Sequence, residues 1–166
     1  MSIGLAVKLT KPIAIRAVLP KIGKALQDIL GLSFAPEIVV EQYVDRTWVP
    51  LKSELLTEDA KLIGFSIAGE SETVAVFAHF RGGEHLPEEP RDFVAVIEVT
   101  GTRTPLVLAL TAAVATALGR ECGTDIIDNM PFFSNVFDQS ADHFVNAIKV
   151  KDGFNDYRAA GDAFYR

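Results

Sequence analysis

The sequence predicts an α+β fold in which two to three helices pack on one face of a mainly antiparallel sheet, as a two-layer sandwich. Several short runs alternate apolar and polar residues, which is the pattern of strands that are buried on one face. Short polar turns join most of these runs, and short connections favour antiparallel pairing. Residues 104–118 are apolar almost all round, as expected of a helix buried at the centre of a fold.

Length and composition predict a single domain. The chain has 166 residues, of which 49% are apolar and 23% charged, which is ordinary globular composition and is enough for a substantial core. The single cysteine, Cys122, excludes an intrachain disulfide and a cysteine-based zinc cluster. We therefore expect one α+β domain over residues 1–166, with residues 151–166 as a C-terminal docking tail.

The first two elements are a strand and a helix. Residues 3–9 alternate with a period of two, which predicts a strand. Thr10-Lys11-Pro12 predicts a helix start, since proline is tolerated in the first turn. Pro20 is expected to kink or restart this helix because it lacks an N–H, and Gly31 is expected to end it as a C-terminal cap.

The next two runs predict a pair of strands. Residues 37–44 are rich in β-branched residues, residues 45–47 form a polar turn, and residues 48–55 return. Pro50 cannot donate to a ladder of hydrogen bonds, so the returning strand is expected at an edge of the sheet.

Residues 62–68 and 73–80 give the clearest hairpin, and residues 92–100 another strand. Between them, residues 82–91 form a polar loop rich in glycine and proline. Such loops lie on the surface and often carry binding residues.

The C-terminal half begins with the buried helix, which is expected to end between Gly119 and Gly123. A short strand at residues 126–127 and an aromatic loop at residues 132–137 follow. Ser140 is expected to cap a final short helix. The rings further along the tail suit a helix that docks by one face, either on its own domain or on another molecule.

Charge argues against a nucleic-acid partner. Residues 1–30 contain five basic residues and one acidic residue, whereas the whole chain has a net charge of −6. Phosphate contacts need a basic field, and an acidic surface suits a basic protein partner instead.

The longest apolar run, residues 105–118, is too short for a membrane span, and the N-terminus lacks a secretory signal pattern. We expect a cytoplasmic protein without membrane contact.

Recognised catalytic and cofactor motifs are absent from the sequence. Glycine-rich phosphate loops and the nucleophile elbow are missing, so we expect no cofactor. An alternative is a small hydrolase or metal-assisted enzyme that uses Asp125, Asp128 and His79 as general acid, base or ligand. The two aspartates have a simpler interpretation as residues that cap turns.

His79 and His85 flank the polar loop, with Glu84 beside the second histidine. This ligand chemistry suits a metal ion, but a spacing of six positions that includes two glycines does not hold the histidines rigidly. We therefore predict no metal site.

The favoured function is that of a non-enzymatic protein-binding module, with an acidic and aromatic contact surface. Rings in loops and tails must be buried on the domain or on a partner. The expected partner is a protein, either a basic one or a second copy of the chain. The candidate contact residues are Glu84, His85, Glu88, Glu89, Phe132, Phe133 and Tyr157.

The run AAVATALGRECGTDIIDN at residues 112–129, an aromatic loop and then SADHF at residues 140–144 resemble the C-terminal part of small bacterial α+β proteins. Some of those are similar to immunity proteins that neutralise polymorphic toxins. The resemblance implies a non-enzymatic inhibitor whose acidic surface blocks a toxin. It transfers no functional residue.

Overall fold

The computed structural model describes residues 4–56, 62–70, 74–81, 93–99, 103–128 and 132–164. In these residues it has an α+β architecture, which confirms the predicted fold class. The helices are α1 (Ile15–Leu30), α2 (Pro105–Cys122), α3 (Ala141–Ile148) and α4 (Tyr157–Phe164). The strands are β1 (Gly4–Leu9), β2 (Ile13–Ala14), β3 (Ile38–Val44), β4 (Thr47–Pro50), β5 (Leu55–Leu56), β6 (Leu62–Ile67), β7 (Val74–Arg81), β8 (Phe93–Val99), β9 (Ile126–Asp128) and β10 (Asp138–Gln139).

Eight of these strands form one sheet in the order β10-β9-β1-β8-β7-β6-β3-β4. Every neighbouring pair is antiparallel, as predicted from the short connections. The predicted hairpin at residues 62–80 is confirmed as β6 and β7. Strands β2 and β5 pair separately as a two-stranded ribbon beside the start of α1.

The helices pack on the face of the sheet that carries its large buried side chains. The large buried side chains of β1 and β6 are Leu5, Val7, Leu9, Ile63, Phe65 and Ile67. They alternate along each strand with residues of the other face and join the helices in one hydrophobic core. The predicted layer arrangement is therefore present, with four helices instead of two to three.

Helix α2 is the centre of the fold. Every residue from Val107 to Gly119 is buried, because the helix lies between the sheet and the three other helices. Thr104 caps its start by accepting the Val107 N–H at 3.2 Å, and Gly123 ends it in the left-handed conformation. Its length and composition would suit a membrane span, but 72% of it is buried inside the protein, as in the core helix of a soluble domain.

Two threonines lie inside α2, and they differ in hydrogen bonding. Thr111 Oγ1 donates to the Val107 carbonyl at 2.9 Å, which is a common way to satisfy a buried hydroxyl in a helix. Thr116 is fully buried, and its Oγ1 has no hydrogen-bond partner among the residues that the structure describes. A hydroxyl in that position destabilises the fold.

Helix α1 starts later than predicted and continues through Pro20. Residues 13–14 pair with β5, so the helix begins at Ile15 instead of at Pro12. It does not restart at Pro20: both Pro20 and Arg16 are exposed, and water is available to the Arg16 carbonyl that the missing N–H leaves without its helical partner. Gly31 ends the helix with φ of 62°, as predicted.

The β3–β4 hairpin closes with a two-residue turn, at the position predicted from the polar residues. Asp45 and Arg46 both have positive φ, at 49° and 67°. This is the geometry of a type I′ turn, which matches the twist of the flanking strands and favours asparagine and glycine. Arg46 is therefore in a strained conformation that an L-residue rarely adopts.

Strand β4 forms one edge of the sheet in the described structure, which confirms the prediction made from Pro50. With a two-residue turn, Val44 and Thr47 are the first hydrogen-bonded pair, and pairs alternate from there. Pro50 lies opposite Glu41 and therefore falls in a non-hydrogen-bonded pair. Its nitrogen points towards the free edge, where the missing N–H breaks no bond within the sheet.

The other face of the sheet carries an aromatic pair next to a glycine. The Tyr43 and Trp48 rings are 5.1 Å apart, on paired residues of β3 and β4. The Trp48 ring lies over Gly64 of β6, so closely that a Cβ there would be 2.7 Å from a ring carbon. Glycine at this position allows the indole ring to approach the backbone closely.

The C-terminal tail packs on its own domain. Phe154 exchanges backbone hydrogen bonds with Gly31 and Ser33, at 2.7 and 3.0 Å. Helix α4 follows, with Ala160 fully buried and with Tyr157 and Phe164 packed against the core. Ser140 caps α3, as predicted, with its Oγ accepting the His143 N–H.

Candidate functional site

The aromatic loop, residues 132–137, is anchored by Asp128 at the end of β9. Asp128 is only 1% exposed, and its Oδ2 accepts the N–H groups of Phe132 and Phe133, both at 2.8 Å. The Asp128 N–H donates to the Phe137 carbonyl, also at 2.8 Å. A buried carboxylate is tolerated when it is hydrogen-bonded, and here its bonds tie both ends of the loop to the sheet.

Further hydrogen bonds stabilise the interior of the aromatic loop. The Ser134 hydroxyl interacts with the Val136 carbonyl at 3.4 Å, and the Gln139 side-chain amide donates to Ser134 Oγ. Asn135 adopts the left-handed conformation, with φ of 57°, which asparagine tolerates better than most residues. These contacts restrain the backbone of the loop.

The restrained loop presents apolar side chains to solvent. Phe132, Val136 and Phe137 are 48%, 46% and 57% exposed. Phe133 points inward instead, with its ring 5.3 Å from that of Phe132 and 6.0 Å from that of Phe144 in α3. Three exposed apolar side chains in one short loop are unusual, and such a loop is a candidate interaction site.

A groove of about 470 Å³ opens beside the loop. We call it the aromatic groove; its lining residues are Leu108, Phe132, Phe133, Ala147, Ile148 and Phe164. In the chain, charged residues come directly after the exposed loop residue Phe137 and after the groove residue Ile148. Asp138 follows Phe137, whereas Lys149 and Lys151 follow Ile148, and all three are exposed. The groove suits an apolar side chain, because its lining residues are apolar.

The two predicted acidic residues lie in different environments. Asp125 is exposed, whereas Asp128 is buried and bonded to the aromatic loop. The His79 side chain lies outside the described part of the structure. No group of three or more His, Cys, Asp and Glu residues with the geometry of a metal site is present among the described residues.

Glu121 and Asp142 take part in ion pairs that link the helices. Glu121 contacts the ammonium groups of Lys11, at 3.0 Å, and Lys21. Hydrogen bonds from Lys21 and Lys11 lower the pKa of the Glu121 carboxyl. Arg120 is 2.9 Å from Asp142. Part of the positive charge of residues 1–30 is therefore paired within the protein.

Tyr157 lies at the opposite end of α4 from Phe164, and it lines a different cleft. Its ring packs edge-on against Phe34 at 5.6 Å. Burial, with a smaller contribution from the negative charge of Glu70, raises the pKa of the Tyr157 hydroxyl. The predicted contact residue Tyr157 is thus separate from Phe132 and Phe133. The other predicted contacts, Glu84, His85, Glu88 and Glu89, lie outside the described residues.

Comparison of the chain with protein-family models, with curated proteins and with solved structures finds no match. The resemblance of residues 112–144 to immunity-type proteins accordingly stays a prediction.

Proposed function

We propose that the protein is a non-enzymatic protein-binding module that contacts its partner through the aromatic loop and the aromatic groove. The observation that carries this proposal is the anchoring of exposed aromatic side chains by a buried carboxylate. A loop that is already ordered loses little conformational entropy on binding. Aromatic side chains are also enriched in the cores of protein interfaces.

The exposed rings are large enough to act as anchors. Full burial of a phenylalanine side chain contributes about 1.5–3 kcal/mol. Phe132 and Phe137 are roughly half exposed, so each has on the order of 1 kcal/mol left to gain in a complex. This is the size at which an interface residue begins to affect affinity measurably.

A narrower form of the proposal is an inhibitor of a basic protein in the cytoplasm. The net charge of −6 favours association with a basic surface. The burial of most of α2 is compatible with a soluble setting. In this form the residues Glu84, Glu88 and Glu89, predicted from the sequence, stay candidate contacts for the basic partner.

The alternative enzyme, which uses Asp125, Asp128 and His79, is less well supported. General acid or base catalysis needs a carboxylate that reaches a substrate. Asp128 Oδ2 is occupied by two backbone N–H groups, and Asp125 has a different, exposed environment. The bonds of Asp128 therefore favour the binding module.

Affinity capture tests the proposal. The bait is the full chain, compared with a Phe132→Ser/Phe137→Ser double variant and with Tyr43→Ser as a matched control, because Tyr43 is a 41% exposed aromatic residue on the other face of the sheet. We expect the double variant to lose a stoichiometric partner that the control retains. Equal recovery of that partner by all three baits would refute the role of the loop.

A further inference from the structure

We propose that the partner of this surface is a second copy of the same chain, in a two-fold symmetric dimer. In this dimer the aromatic loop of each copy enters the aromatic groove of the other. The inference rests on the proposed function, because it assigns a partner to the same surface.

The shape of the surface is self-complementary. Val136 and Phe137 are exposed on the loop and do not line the groove. Phe132 belongs to both, because it is 48% exposed and lines the groove. A projecting apolar segment next to an apolar groove satisfies itself under a two-fold rotation, which places each projection in the groove of the other copy.

The charges near the surface complement each other in the same arrangement. Asp138 follows the projecting Phe137, and the exposed Lys149 and Lys151 follow the groove residue Ile148. When Phe137 enters the groove of the second copy, Asp138 approaches the two lysines of that copy. Symmetry repeats the contact, so that the dimer gains two sets of opposite charges.

The contact is small, and this sets the expected affinity. The groove of about 470 Å³ is within the usual size of sites that enclose a compact apolar group. Interfaces of limited area are typical of weak, transient association. The net charge of −6 on each copy adds long-range repulsion, which salt at about 0.15 M screens beyond roughly 8 Å. We expect a dissociation constant in the micromolar range.

Sedimentation equilibrium of the full chain, from about 5 to 500 µM, measures this association directly. The wild-type chain should show a monomer–dimer equilibrium. Phe137→Ser should weaken it by about tenfold or more, and Tyr43→Ser should leave it unchanged. Far-UV circular dichroism checks that each variant is folded, which is expected because Phe137 is 57% exposed.

Charge reversal tests the geometry of the dimer. The Asp138→Lys variant places like charges at both contacts of its own dimer, and so does the Lys149→Glu/Lys151→Glu variant. Each variant alone should therefore associate several-fold more weakly than wild type. In a mixture of the two, both contacts of the mixed dimer carry opposite charges. The mixture should associate more strongly than either variant alone.

Three results would overturn the inference: a monomer at every concentration, a dimer insensitive to Phe137→Ser, or a charge-reversed mixture no stronger than its components. The capture experiment distinguishes this failure from failure of the proposed function. A monomeric chain that still captures another protein through Phe132 and Phe137 refutes only the second copy. Absence of both dimerisation and partner capture would refute the role of the aromatic loop and groove as a binding surface.

Discussion

Replacement of Asp128 by alanine removes the acceptor that holds the start of the aromatic loop. Two N–H groups, those of Phe132 and Phe133, lose a carboxylate oxygen at 2.8 Å. Hydrogen bonds to a charged group contribute about 1.5–3 kcal/mol each. The two together set an upper bound of about 3–6 kcal/mol.

The expected loss is smaller than this bound because the loop is partly solvated. Both hydrogen bonds are only partly buried, so water can reach the freed N–H groups. We expect Asp128→Ala to lower the free energy of unfolding by about 2–4 kcal/mol. Asp128→Asn keeps a neutral acceptor oxygen and should lose about half as much, roughly 1–2 kcal/mol.

Urea denaturation, followed by circular dichroism, measures both changes. Asp125→Ala is the matched control, because Asp125 is exposed and its replacement should change stability by no more than about 0.5 kcal/mol. The reasoning is refuted if Asp128→Ala behaves like this control. It is also refuted if the asparagine variant is less stable than the alanine variant, since a retained acceptor should help.

Three further changes test other features of the fold. Thr116→Val should raise the free energy of unfolding by about 1–2 kcal/mol, because it removes a buried hydroxyl without a described partner; a less stable variant in urea would contradict this. Arg46→Gly should stabilise by about 0.5–1 kcal/mol by relieving a positive φ, and an unchanged or lower denaturation midpoint would count against the strain. Glu121→Gln should lose stability at neutral pH and flatten the acid limb of the stability profile. The pKa of Glu121 is lowered in the folded protein, so its pairing with Lys11 and Lys21 stabilises the fold above the unfolded pKa of about 4.3. This stabilisation is lost as the pH falls through the folded pKa. Parallel stability profiles of the wild type and Glu121→Gln in acid titrations would show that the pairing is unimportant.

Local patterns in the sequence were sufficient for the larger elements. The alternation at residues 62–80 predicted β6 and β7, because one buried face imposes a period of two. The uninterrupted apolar run predicted a buried α2. Gly31 and Ser140 were recognisable as caps, since their conformation or side chain satisfies groups at a helix end.

Elements that depend on distant contacts were harder to predict. The two-residue strands β2, β5 and β10 have no period of their own, and pairing with remote residues defines them. Helix α1 starts at Ile15 and not at the predicted Lys11-Pro12, because residues 13–14 pair with β5. Local propensity does not contain this information.

The candidate site shows the same limit. Phe132 and Phe133 were recognisable as unusual loop aromatics, but Leu108, Ile148 and Phe164 come from three different helices. Only the packed fold brings these segments together. Asp128 had two open interpretations, and its role followed from the N–H groups that the folded loop places beside it.

The contact of Trp48 with Gly64 also supplies an optical reporter. Trp48 is the single tryptophan of the chain, and it lies beside Tyr43 at the β4 edge of the sheet. Its fluorescence therefore follows that edge alone, whereas far-UV ellipticity is dominated by the helices. Coincident transitions of the two signals would indicate all-or-none unfolding. Earlier loss of the fluorescence signal would identify the β3–β4 hairpin as the first part of the domain to detach.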